Sequence, residues 1–222
     1  MATKNGIIKR TCLTEFANVR SRNKGLIAIS FKEGDSLLDA QLTSGNDQIM
    51  IAARNGRCVR FEESEARELG RNSMGVRGIN IAEDDEVIGA VSGDVNAPDA
   101  ENTTILVVSE NGYGKRSHYE EYRVTARGAK GVKTLNITEK TGSLVAIKSV
   151  TEDNDIMIIT RGGLTIRMAV TDISLLSRAT QGVRLINLRE GDSIAAVSVV
   201  AHESEEEGVE SEGENGTHEN EN

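Results

Sequence analysis

The chain has 222 residues, 37% hydrophobic and 27% charged, with 22 glycines, one proline, no tryptophan and a formal charge of −9. That composition suits a soluble globular chain, either one large domain or an array of small units, and no apolar run approaches the ~20 residues of a membrane helix. Cys12 and Cys58 lack ligand spacing, and His202 and His218 sit in a polar C-terminal stretch, so neither a metal centre nor a disulfide framework is expected.

Read in chain order, the start "MATKNGIIKR" has no signal-peptide core, which makes the cytoplasm the expected compartment. Its turn, Asn5-Gly6, is followed by Lys9 and Arg10, then by a basic loop with Arg20, Arg22, Lys24 and Gly25. The same order returns three times. Hairpin glycines fall at Gly6, Gly56, Gly112 and Gly163, spaced 50, 56 and 51 residues apart. A second glycine lies 19 residues after each, at Gly25, Gly75, Gly131 and Gly182. An acidic residue follows in the same phase, at Glu33, Glu83, Glu139 and Glu190. Three anchors in fixed phase over four copies establish a repeat.

Each copy reads as strands. Copy two has "IMIAAR" and "RCVRFE" around Asn55-Gly56, an expected type I′ hairpin, then "GVRGINI" and "EVIGAVSG". Copies three and four repeat the series from "TILVVSE" and "IMIITR". A longer polar connection such as "ESEARELGRNS" could hold a helical turn. Four short strands per ~50 residues predict an all-β array of four-stranded antiparallel blades. The copies span about 1–48, 49–102, 103–155 and 156–201. Residues 202–222 hold nine Glu and no Lys or Arg, and read as a disordered acidic tail. Without them, 26 acidic residues balance 26 basic ones. On a flexible tether the tail could compete with phosphate for basic residues.

Two groups of cations keep the repeat's phase. Hairpin basics are Lys9, Arg10, Arg60, Lys115, Arg116 and Arg167. Loop basics around the second glycine are Arg20, Arg22, Lys24, Arg71, Arg77, Arg127, Lys130, Lys133, Arg178 and Arg184. Either group could be a solvated face, a packing device or a row of phosphate contacts; small residues in the loops let backbone amides approach an anion. Aromatics are only 3%, too few for a base-stacking platform, so a duplex held by its backbone fits better than a single strand. Copies one, three and four carry charges of +2, +1 and +2, and copy two carries −5, so weaker contacts are expected at blade two. The acidic triplets at 33–35, 83–85 and 190–192 sit where turn and capping roles are expected.

"NGYGKR" with Glu121-Tyr122, Arg127 and "KGV" at 130–132, "GRNSMGVRGINI" at 70–81, "IMIITRGG" at 156–163 and "RATQGVRLI" at 178–186 resemble the C-terminal domain of the DNA gyrase A chain. The resemblance runs in order over about residues 1–200. It implies a β-pinwheel, a propeller-like disc whose blades exchange strands, and a role in wrapping double-stranded DNA. It further implies a bacterial, cytoplasmic, chromosome-associated A2B2 enzyme, formed with the gyrase B chain, that introduces negative supercoils, its ATP and magnesium used elsewhere. The chain departs from the family in three ways. It has no winged-helix region and hence no cleavage tyrosine, so no catalytic residue is expected here. It shows four blades where about six are usual, and only "ARGAKG" at 126–131 as a degenerate version of the family's Q-R-R-G-G-K-G box. Aligning Gly6 with Gly56 sets Met1 opposite Ile51, inside a strand, so the expectation is a chain that begins mid-blade with a broken edge. The corresponding domain of topoisomerase IV and a protein-binding propeller remain as alternatives.

Overall fold

The computed structural model describes residues 1–17, 25–98 and 100–202; the sequence readings for Arg20, Arg22, Lys24 and the acidic tail lie outside the described residues. Copy one contributes β1 (Ala2–Thr3), β2 (Ile7–Ile8) and β3 (Leu37–Asp39). Copy two contributes β4 (Gln48–Ala53), β5 (Arg57–Glu62), β6 (Val76–Arg77) and β7 (Val87–Gly93). Copy three contributes β8 (Thr104–Ser109), β9 (Tyr113–His118), β10 (Val132–Lys133) and β11 (Leu144–Val150). Copy four contributes β12 (Asn154–Thr160), β13 (Thr165–Ala169), β14 (Val183–Arg184) and β15 (Ile194–Ala201). Among the described residues each polar connection holds one 3-10 turn, as at Glu63–Glu65 and Tyr119–Glu121, and no long helix.

Copies and blades are not the same units. The sheets run β3-β1-β2-β6, β10-β5-β4-β7, β11-β8-β9-β14 and β13-β12-β15. In the first three, the outer strand comes from the following copy: β6 closes blade one, β10 blade two and β14 blade three. The chain is therefore a strand-exchanged pinwheel. Blade four has three strands among the described residues. β1 has two residues where β4 and β8 have six.

The cores lie between blades, and strand alternation explains how one strand serves two of them. Along β4, Ile49, Ile51 and Ala53 pack toward blade one with Phe61 and Val87. Met50 and Ala52 face the other way, toward Ile105, Val107, Tyr119 and Tyr122 of blade three. Along β8, Leu106 and Val108 turn to Ile156, Ile158 and Val197 of blade four. A central strand sandwiched on both faces reads as a near-continuous apolar run, and β4 and β8 are buried throughout, with polar Gln48, Thr104 and Ser109 only at their ends.

The glycines fix the joints. In each hairpin the turn hydrogen bond runs from the glycine N–H to the carbonyl three residues back, as from Gly56 to Ala53 O at 3.0 Å. The turn therefore centres on Arg54-Asn55 and not on Asn55-Gly56, which corrects the type I′ expectation. The glycine follows that turn, left-handed at φ +81°, in the manner of a bulged hairpin. The second glycine presses onto the neighbouring blade. A Cβ would stand 2.5 Å from Ile8 O at Gly75 and from Gly114 O at Gly182, and would strike Cys58 O at Gly131. Because Gly131 is also left-handed, at φ +72°, Gly131→Ala should lower stability by more than about 2 kcal/mol. Gly25→Ala, where a Cβ meets nothing, should cost less than about 0.5 kcal/mol. Urea unfolding of the two variants checks the difference.

Candidate nucleic-acid interface

The hairpin basics are structural. Arg60 reaches from β5 into the next copy, where its guanidinium donates to Tyr119 O at 2.7 Å and Tyr122 O at 2.8 Å and lies 4.3 Å from the centre of the Tyr119 ring. Its Nε donates to Gln48 Oε1 at 2.6 Å. Arg116 does the same one blade on, donating to Ile173 O at 2.9 Å. Both tie down the carbonyl end of the next copy's 3-10 turn. Arg10 occupies the same phase, held 3.7 Å from Glu63, and Arg167 pairs with Asp155 at 2.7 Å. Lys9 and Lys115 are fully buried. Lys9 donates to Ala28 O and Arg71 O, and Lys115 to Ser117 Oγ at 2.7 Å. The expectation that Lys9, Lys115 and Arg116 could meet phosphate is corrected: their side chains are buried between blades, and inter-blade packing sets their phase.

The loop arginines form a second set of braces. Arg127 donates through Nε to Glu65 O at 2.9 Å and through a terminal nitrogen to Arg77 O at 3.1 Å, while its backbone N–H meets the Glu65 carboxylate at 2.9 Å. Arg178 repeats every contact on Glu121 O, Lys133 O and the Glu121 carboxylate, at 3.0, 2.7 and 2.8 Å. Arg71 donates to Ile27 O at 2.8 Å. These three are half-buried straps between copies.

What faces solvent in phase is the outer strand itself. Arg77, Lys133 and Arg184 each stand two residues after the second glycine, on β6, β10 and β14, and all are exposed. Lys130 is exposed beside them. Arg57, which sequence reading did not single out, is the register partner of Lys133 across β5 and β10. Only the strand exchange puts the two side by side. At the next blade Arg184 donates to Tyr113 Oη at 2.8 Å, and Lys140 lies 5.1 Å from the centre of the same ring. The phenol thus holds two cations at the edge. None of Arg57, Arg77, Lys130, Lys133 or Arg184 forms an ion pair among the described residues.

The acidic triplets do hold turns, as expected. Asp35, Asp85 and Asp192 accept the N–H of Asn5, Asn55 and Gly162 at 2.9, 3.2 and 2.8 Å, so each carboxylate pins its own copy's hairpin tip. Thr138 and Thr141 tie off the corresponding turn of copy three. No group of three or more metal-ligating side chains occurs among the described residues, and no helix is long and apolar enough to cross a membrane.

An all-β propeller of strand-exchanged blades, with unpaired cations at one phase of its outer strands, is the class of protein that these observations define. The family model described as "DNA gyrase C-terminal domain, beta-propeller" matches residues 1–44, 47–93, 103–151 and 154–201, and the chain belongs to that family. It is 46% identical over 206 residues to the DNA gyrase A chain of Staphylococcus aureus strain MRSA252, covering 93% of this chain and 23% of that protein. The same identity and coverage of this chain hold for strain NCTC 8325. The chain thus spans under a quarter of the length of these relatives. Among solved structures, the C-terminal domain of DNA topoisomerase IV superposes with a TM-score of 0.82 at 23% identity, over 90% of this chain and 60% of that one. A DNA gyrase A C-terminal domain gives 0.76 at 27%, over 89% and 64%. The topoisomerase IV likeness establishes the shared fold; the higher sequence identity lies with gyrase A.

Burial perturbs the enclosed cations. Desolvation pushes the Lys115 amine down to about 8, with the Arg178 charge acting in the same direction against Glu121. Lys9 and Arg60 are also lowered, mainly by burial. A depressed lysine favours the fold only when neutral. Stability should therefore be lowest below pH 8 and rise as pH climbs from about 8 toward the ordinary 10.5. Lys115→Met removes that titration. We expect it to be more stable than the parent at pH 7, by about 1–3 kcal/mol, and no more stable by pH 10.5. Denaturant midpoints across this pH range measure it.

Proposed function

We propose that the chain is a sequence-tolerant module that binds and bends duplex DNA along the outer strands of its blades. The observation that carries the reading is the recurrence of an exposed, unpaired cation at one phase of three successive blades: Arg77, Lys133 and Arg184. Lys130 and Arg57 widen the row. Phosphates repeat along a duplex, and a row of cations on stiff strands presents matching charge at fixed intervals without reading base edges. Bending a 20–30 bp site costs ~1–6 kcal/mol, so several contacts with counterion release are needed to offset it. Family membership supports the same reading. In a longer gyrase A chain the module would feed wrapped DNA to a cleavage core. Negative supercoiling would then be the work of an A2B2 assembly with the gyrase B chain, with ATP and magnesium bound outside this chain, on the bacterial chromosome in the cytoplasm.

Ligation of nicked plasmid with the chain bound should shift the linking number in the positive sense. Replacing Lys130, Lys133 and Arg184 with Glu should weaken duplex binding and reduce its log–log salt slope by about 3. Lys115→Met should leave both unchanged. Equal affinity of the triple variant and the parent across a salt series would remove the assignment.

A further inference from the structure

The outer strands carry a second side chain in phase with the exposed cation. Three residues after Arg77, Lys133 and Arg184 stand Asn80, Asn136 and Asn187. Along a straight strand, residues three apart face opposite sides. Here the strand ends in a bend. The N–H groups of Thr134 and Leu135 both turn to Gly56 O, at 2.8 and 3.3 Å, and those of Gly78 and Ile79 both turn to Gly6 O, at 2.8 and 3.3 Å. Two consecutive residues are buried at each of these bends, and the third comes back toward the surface.

On β10 and β14 the returning asparagine meets the cation. Lys133 Nζ donates to Asn136 Oδ1 at 3.0 Å, and Arg184 donates through a terminal nitrogen to Asn187 Oδ1 at 3.2 Å. Neither an ammonium nor a guanidinium can accept a hydrogen bond, so the atom that faces it must be the amide oxygen. Each Nδ2 is therefore turned away from the cation, and it has no acceptor among the described residues. The surroundings are stiff. Asn136 N–H donates to Thr180 O of the next copy at 3.0 Å. The Arg184 guanidinium is gripped on its other flank by Tyr113 Oη, at 2.8 and 3.2 Å, which still leaves an N–H on each terminal nitrogen. Asn80 is the contrast. It is exposed in the same phase and its N–H donates to Ala129 O at 3.0 Å, yet Arg77 makes no bond to its side chain among the described residues.

We propose that Asn136 and Asn187 are duplex-contacting residues, each carboxamide forming with its blade's cation a single clasp on a backbone phosphate. The inference rests on the outer-strand reading above and adds a neutral donor to it. The cation supplies the attraction that releases counterions, and the amide donates a hydrogen bond that releases none. The clasp therefore holds a share of the affinity that salt does not remove. Because the cation orients the amide before DNA arrives, little side-chain freedom is lost on binding.

The test compares duplex binding by the whole chain and its variants across a salt series, on two duplexes of unrelated sequence. Asn136→Ala with Asn187→Ala should weaken binding about tenfold at every salt concentration and leave the log–log slope at the parent's value. Asn80→Ala, at the unclasped position, should bind within about twofold of the parent. Asn136→Asp with Asn187→Asp keeps the shape but sets a carboxylate against each cation, so it should weaken binding further and lower the slope by about 2. Urea midpoints matching the parent's check that each variant is folded. Parent-like affinity of the alanine pair overturns the inference, and the outer-strand reading stands if charge reversal at Lys130, Lys133 and Arg184 still weakens binding. A lower slope for the alanine pair also overturns it, since the amides would then act only by holding the cations. So does a loss confined to one duplex, since they would then read base edges. A parent that binds neither duplex removes both the inference and the reading beneath it.

Discussion

The structure depends on one contact, the seating of the second glycines of copies two, three and four against the backbone of the preceding blade. At Gly75, Gly131 and Gly182 there is no room for a side chain, because a carbonyl oxygen occupies the place of the Cβ. This close approach lets β6, β10 and β14 enter the sheet of another copy. Once the strand is inserted, the hydrophobic positions that follow it, Ile79, Leu135 and Ile186, are carried into the inter-blade core. Burial and backbone pairing are then inseparable. A blade cannot complete its sheet without its successor, and stability is distributed along the array in the manner of a repeat protein.

The same constraint sorts the cations. An arginine close to a joint finds carbonyls of the adjacent copy, and a guanidinium can reach two at once. Arg60 and Arg116 take this role at the 3-10 turns, and Arg71, Arg127 and Arg178 take it at the loops. Cations on the outer face of the inserted strand have no such carbonyls nearby and stay in solvent. The division between structural and available charge follows from the direction of each side chain relative to the exchanged strand, not from residue type.

Much of this was legible in the sequence. The four phased glycines define the repeat, the runs around them define the strands, and "QIMIAA" and "TILVVS" already show the continuous apolar character of strands buried on both faces. The basic hairpin pairs were not readable in the same way. Lys115 and Arg116 in "NGYGKR" look as exposed as Lys133 on paper, yet both are enclosed. Alternation along a strand normally separates one wet face from one dry face, and it loses that meaning when a second blade covers the wet one. Arg57 was missed for the opposite reason: its partner Lys133 lies in the next copy, 76 residues away in sequence, and only the strand exchange brings them together.

By itself the sequence determined the period, the strand content, the glycines that mark the hairpins and the family. These follow from local chemistry: glycine where a backbone must turn left-handed or pass close to another, and β-branched residues where it must be extended. The tertiary structure decided which copy completes which blade, which cations are spent as braces and which reach solvent. Those outcomes depend on contacts between residues 44 to 76 positions apart, and no pattern within one copy encodes the partner that a strand will meet.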